Sequence, residues 1–208
     1  MKRLLCAGVI AVGVLAAVLP AGATAADAIQ YRYSANTATA WFDSWDSLGC
    51  VETRAFVWAW DGTTKLDGAR PTSDRGVSVT VDKFDFCTNT VIVEARGDSP
   101  LPSDEFVIGK QLDAATLHTT VDVYDWVSDF TFPVEVNLSW SGSGDLEEGF
   151  SHSVYHTSSY SIVTNDRGAF RNADATGTVS DGSTDYAVGP PVLSQLASTR
   201  HGEMSITR

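Results

Sequence analysis

Val51-Glu52-Thr53-Arg54-Ala55-Phe56-Val57-Trp58-Ala59-Trp60 is rich in β-branched and aromatic side chains, and its reading decides the fold class. Phe56, Trp58 and Trp60 occupy alternate positions, so as a strand they share one face over about 13 Å. That face has two uses. Exposed, it would stack sugar rings, and Trp58 and Trp60 would be the binding residues. Buried, it is a heavy core, and Val57 and Ala59 form a thin opposite face. Aromatic side chains contribute strongly to cores, so the expectation is burial.

The same period extends in both directions. Ile29-Gln30-Tyr31-Arg32-Tyr33 alternates apolar and polar, as a half-buried strand does. Thr37–Trp45, Val77–Phe84, Thr90–Ala95, Leu117–Tyr124, Phe132–Trp140, His152–Val163, Ala169–Val179 and Met204–Thr207 carry strand composition. Phe106 and Val107 make a shorter piece of the same kind. Turn chemistry separates these runs at Asp61-Gly62, Gly97-Asp98-Ser99-Pro100, Gly142-Ser143-Gly144, Asn165-Asp166-Arg167-Gly168 and Asp181-Gly182. Gln111–Leu117 has room for one helical turn. The pattern predicts an all-β fold, a β-sandwich or jelly roll (a barrel is the related closed form), with about ten to twelve short antiparallel strands.

One unit recurs within this pattern. Asp43-Ser44-Trp45-Asp46, Asp82-Lys83-Phe84-Asp85 and Asp122-Val123-Tyr124-Asp125 place an aromatic residue before the second Asp, at spacings of 39 and 40 residues. The second and third copies extend backward as Thr80-Val81 and Thr120-Val121. Residues i and i+3 of a strand point to opposite faces, so no single unit can chelate calcium. The second Asp of each unit is expected to cap the turn that follows it. A period near 40 that corresponds to an out-and-back pair of strands puts all three turns at one end of the fold.

Cys50 and Cys87 lie in the first two trailing segments, so the repeat places them close enough for a disulfide. Closing that loop would stabilise the fold by roughly 4 kcal/mol in the chain-entropy model. The third copy has Val127 where the second has Cys87, so it rests on packing and on its Asp125 cap, worth about 1 kcal/mol.

The N-terminus has the order of an export signal. Lys2 and Arg3 precede an apolar run of about 16 residues, Leu4–Leu19, and the small residues Ala23-Thr24-Ala25-Ala26 follow. Residues 1–26 are accordingly read as a signal peptide and 27–208 as a single all-β domain, secreted and without a membrane span. Cleavage removes Cys6 and leaves an even pair of cysteines, as suits an oxidising compartment. It also takes the net charge from −12 to −14. An acid surface of that size repels polyanions, which argues against nucleic acid and anionic bilayers as partners.

No catalytic motif accompanies these features. There is no Gly-x-Ser-x-Gly elbow, phosphate loop or His-Glu-x-x-His, and no cofactor is implied. His152 and His156 have a zinc spacing only on a helix, and on a strand they stand about 13 Å apart, so no metal is expected. The expected role is binding or extracellular interaction with a carbohydrate or a protein, and not an enzyme. A secreted hydrolase acting on carbohydrate or ester substrates is the alternative. A protease-inhibitor-like module, presenting Arg70-Pro71 or Ser99-Pro100-Leu101-Pro102, is the third.

Phe84-Asp85-Phe86-Cys87-Thr88, Leu138-Ser139-Trp140-Ser141-Gly142 and Arg171-x-Ala173-x-Ala175-Thr176-Gly177-Thr178-Val179 together resemble secreted β-rich proteins of actinobacteria. That resemblance implies no activity and assigns no functional residue.

Overall fold

In the computed structural model, which describes residues 28–207, every regular element is a β-strand. The strands are β1 (Ile29–Trp45), β2 (Val51–Leu66), β3 (Thr72–Asp85), β4 (Thr90–Pro100), β5 (Phe106–Ile108), β6 (Ala114–Asp125), β7 (Phe130–His156), β8 (Ser161–Ser180) and β9 (Leu193–Thr207). They form one antiparallel sheet in the order β4-β3-β2-β1-β9-β8-β7-β6-β5. The export signal expected over residues 1–26 lies outside the described residues. Among the described residues, no helix is long and apolar enough to cross a membrane.

The two ends of the sheet meet. β6 pairs with β5 along its first half, and at its far end Ala95 and Arg96 of β4 pair with Asp125 and Tyr124. Gly97 makes that approach possible, because a Cβ there would strike the Asp122 carbonyl. Asp125 then fixes the seam. Its carboxylate accepts the Glu94 backbone N–H at 3.1 Å, while the Trp126 N–H donates to the Glu94 carbonyl at 3.0 Å. The result is a flattened, sandwich-like closed sheet with one interior.

Inward positions alternate with outward ones, as the pleat requires. Ala38, Ala40 and Phe42 of β1, Ala55, Val57 and Ala59 of β2, and Val77, Val79 and Val81 of β3 line one wall. Val121 and Val123 of β6 and Val134, Val136, Leu138 and Trp140 of β7 face them. Trp140 reaches across and donates its indole N–H to the Thr39 carbonyl at 2.9 Å. Leu101, Phe106 and Leu112 plug one end of the interior, and Tyr186 and Ala187 plug the other.

The strands are fewer and longer than the sequence pattern predicts. Several glycine clusters that read as turns are instead close approaches or bulges inside strands. Gly62 continues β2, where a Cβ would collide with Ser34 and Ala35 of β1. Gly142-Ser143-Gly144 and Arg167-Gly168 sit at register shifts within β7 and β8. The helical turn expected over Gln111–Leu117 does not form. β6 begins at Ala114, and Leu112 sits at φ 55°, outside the helical region, with its side chain in the core.

Candidate ligand-binding face

The expected burial of Phe56, Trp58 and Trp60 is corrected by the structure. Ala55, Val57 and Ala59 are the inward residues of β2, each fully buried, and the aromatic residues between them point outward. The reason is volume. This wall faces the interior with Ala and Val on three adjacent strands, and the space they leave is already filled by Trp140, Phe42 and Phe106. Three further large rings could not enter at native packing density.

Outside the sheet, these side chains form a strip. Trp58 and Trp60 are half-buried, with ring centroids 4.6 Å apart and planes tilted by 31°. Ser78 and Gly76, their partners on β3, are small, and Ser78 is buried although it belongs to the outer face. The benzo ring of Trp60 covers Gly76, where a Cβ would come within 2.5 Å of it. Its indole N–H donates to Asp74 Oδ1 at 2.9 Å, and Asp74 Oδ2 accepts from Thr64. Trp60 is thus laid down on the sheet and pinned there.

Sequence reasoning missed Trp41. It stands directly across from Phe56, and Leu193 of β9 stands across from Trp41 on the other side. All three are exposed. The alternation of Ala38, Ala40 and Phe42 against Thr39 and Trp41 carried the signal, once β1 was set beside β2. The outer face therefore holds an apolar patch, Leu193-Trp41-Phe56-Trp58-Trp60, bordered by Thr37, Thr39 and Thr80.

A charged row crosses the sheet next to it. Asp43, Arg54, Asp82 and Glu94 are cross-strand neighbours on β1 to β4. Arg54 also bonds the buried Glu52. Burial raises the Asp82 carboxyl above its ordinary range, helped by Glu94 and Glu52 and opposed by Arg54. The row carries more acid than base, so this end of the strip repels anions.

The three repeat turns do gather at one end. Asp46 Oδ1 accepts the Cys50 and Val51 N–H groups at 2.8 and 3.0 Å, and Asp85 Oδ1 accepts those of Cys87 and Thr88 at the same distances. Asp125 receives those of Val127 and Ser128. Asn89 and Asp129, four residues after Asp85 and Asp125, both adopt positive φ, so the second and third turns share one conformation. Cys50 and Cys87 are bonded, with Cα atoms 5.2 Å apart. Trp45 and Phe86 pack at 5.1 Å beside them.

The histidines are dispersed over exposed strands. His118 bonds Asn137, His152 bonds Asn165 at 2.8 Å, and His201 lies 3.4 Å from Glu203. Arg70-Pro71 is in the exposed connection between β2 and β3. Ser99-Pro100 ends β4, and Leu101 is buried, so that segment is not a free loop. No family model, curated protein or solved structure matches this chain.

Proposed function

We propose that this is an exported binding domain whose ligand is a neutral polysaccharide, held along the outer strip Trp41-Phe56-Trp58-Trp60. The observation that carries the reading is the outward direction of Phe56, Trp58 and Trp60, with Val57 and Ala59 filling the core behind them. Sugar rings present C–H faces that stack on aromatic faces, and a flat strip along one strand suits an extended chain. The interior is packed with side chains, which leaves the outer surface to recognition. Export is supported by the order of basic, apolar and small residues at the N-terminus and by the disulfide.

The test is co-sedimentation of the mature protein with insoluble neutral polysaccharides, alongside tryptophan fluorescence titration with their soluble oligosaccharides. Retention and a saturable emission change are expected, and Trp58→Ala with Trp60→Ala should abolish both. A wild-type protein that ignores every neutral polysaccharide offered would end this reading.

A secreted hydrolase acting on the same chain draws on one observation, the raised carboxyl of Asp82 opposite Glu94. That pair sits on the outer surface of the sheet, with Glu94 open to solvent and Asp82 only half-buried, which favours binding over hydrolysis. Release of soluble sugar that Asp82→Asn eliminates would reverse this preference.

A further inference from the structure

The outer half of β7 is an open edge. β6 covers β7 only as far as Ser141, and from Glu147 to His156 the strand pairs with β8 on one side. Among the described residues nothing pairs with its other side. Both faces of this segment are exposed as well, including Phe150, Val154 and Tyr155. Protein edges of this length are usually blunted by Pro, Lys or a bulge in mid-strand, because a row of free N–H and C=O groups pairs with any strand offered. The run Glu147-Glu148-Gly149-Phe150-Ser151-His152-Ser153-Val154-Tyr155-His156 has no Pro and no Lys. Its bulge, between Ser143 and Glu147, lies before the regular part, and the turn bonded from Thr157 to Tyr160 ends it.

A strand facing a second copy of itself across a two-fold axis obeys a parity rule. Residues whose backbone groups point to the free edge alternate along the strand, and opposed residues must match. The axis must therefore pass through a residue, never between two. The bulge and the turn bound the regular run of ten residues, and two registers pair nine of them: one centred on Ser151, which sets Glu148 against Val154, and one centred on His152. In the register centred on His152, Glu148 stands opposite His156, Phe150 opposite Val154, and Ser151 opposite Ser153. Acid meets imidazole and apolar meets apolar. On the other face Tyr155 stands opposite Gly149. A Cβ on Gly149 would touch only Phe170, at 3.7 Å, so there is room for an aromatic ring to settle against that side chain. The run is complementary to its own reverse.

We propose that two copies of this protein associate through antiparallel pairing of their β7 edges about His152, extending the sheet from one subunit into the other. About ten backbone hydrogen bonds would form across the axis. Glu148 already contacts Arg200 of its own chain at 3.2 Å, so its carboxylate is held on the face where the second copy's His156 arrives.

Sedimentation of the mature protein across micromolar to millimolar concentration should show a monomer–dimer equilibrium. Val154→Lys places an ammonium opposite Phe150 of the second copy. It should give a monomer with unchanged circular dichroism and, at dilutions where the wild type is itself monomeric, an unchanged melting temperature, since Val154 is exposed. His152→Cys puts identical thiols directly across the axis and should yield a disulfide-linked dimer on mild oxidation. Phe150→Cys, which would be self-opposed only if the axis passed through residue 150, should not. A protein that remains monomeric at millimolar concentration, a Val154→Lys variant that still dimerises, or crosslinking by Phe150→Cys but not His152→Cys would each overturn the proposal.

Discussion

The Asp125 carboxylate accepts the backbone N–H of Glu94, 31 positions earlier in the chain, at the seam where β4 meets β6. A residue expected only to cap its own turn is therefore also a clasp on the closed sheet. Asp125 is 3% exposed and receives the Val127 and Ser128 N–H groups and the Ser128 hydroxyl besides.

Asp125→Ala would leave the Glu94 N–H without its acceptor at a partly buried seam. The expected loss is about 2–3 kcal/mol, more than the roughly 1 kcal/mol of a simple cap. Asp85→Ala, at an exposed turn of the same shape, should cost clearly less. Urea denaturation of the two variants measures the difference, and equal midpoints would show that the seam does not depend on Asp125.

The capping carboxylates set the acid limit of stability. Asp46, Asp85, Asp125 and Asp181 all titrate below the ordinary range. Backbone N–H donors hold down the first two. For Asp125 and Asp181 burial pulls upward, and hydrogen bonds from Ser128 and Glu94, and from Thr184 and Ser183, outweigh it. A depressed folded pKa contributes stability that is present above the unfolded value, near 4, and is lost as pH falls through the folded one. The melting temperature should be flat from neutrality to about pH 5 and then fall steeply below about pH 4. Thermal melts by circular dichroism across that range check this, and Asp125→Asn should soften the fall.

Reduction should also weaken the fold. The Cys50–Cys87 bond spans a sequence separation of 37 and joins two turns at one end. In the chain-entropy model it contributes roughly 4 kcal/mol, so Cys87→Ser should lower the denaturation midpoint by most of that. The third turn has no such bond, and a reductant should leave an Asp125→Ala variant the least stable of the set.

Fold class, the disulfide and the shared end of the three turns were legible because each rests on local chemistry. Strand period, Asp caps and cysteine placement are short-range signals. The direction of Phe56, Trp58 and Trp60 was not legible, since alternation says which residues share a face and never which face is inside. Deciding it needed the rest of the interior: Trp140 from the facing wall, with Phe42 and Phe106, fills the space that the small side chains of β1 to β3 leave, and those residues come from other strands. Strand count failed for a related reason. Gly62 and Gly97 read as turn residues locally, but each is there because a neighbouring strand passes too close for a side chain.

The two faces of β2 give a paired prediction. Val57→Ala removes buried methyl groups and should cost about 2 kcal/mol of stability while leaving ligand affinity intact. Trp58→Ala should lose affinity, and because its ring is half-buried against Trp60 its stability cost should be smaller than that of Val57→Ala but not zero. Binding titration and denaturation of both variants make the comparison.

Gly76→Ala tests the proposed polysaccharide strip without replacing any of its aromatic residues. The added methyl would lie 2.5 Å from the Trp60 benzo ring, and the Ser99 carbonyl, 3.0 Å away, blocks retreat toward β4. The indole has to lift, and lifting stretches its N–H bond to Asp74, now 2.9 Å. A tilted Trp60 no longer continues the surface begun by Trp58, so polysaccharide affinity should fall several-fold although every aromatic residue is still present. Its emission should shift to the red as the ring gains solvent. Asp74→Ala removes the same hydrogen bond without steric pressure, and it should reproduce the weaker binding only in part. If Gly76→Ala binds like wild type while its emission has moved, the pose of Trp60 is irrelevant to recognition, and the ligand rests on Trp41, Phe56 and Trp58 alone.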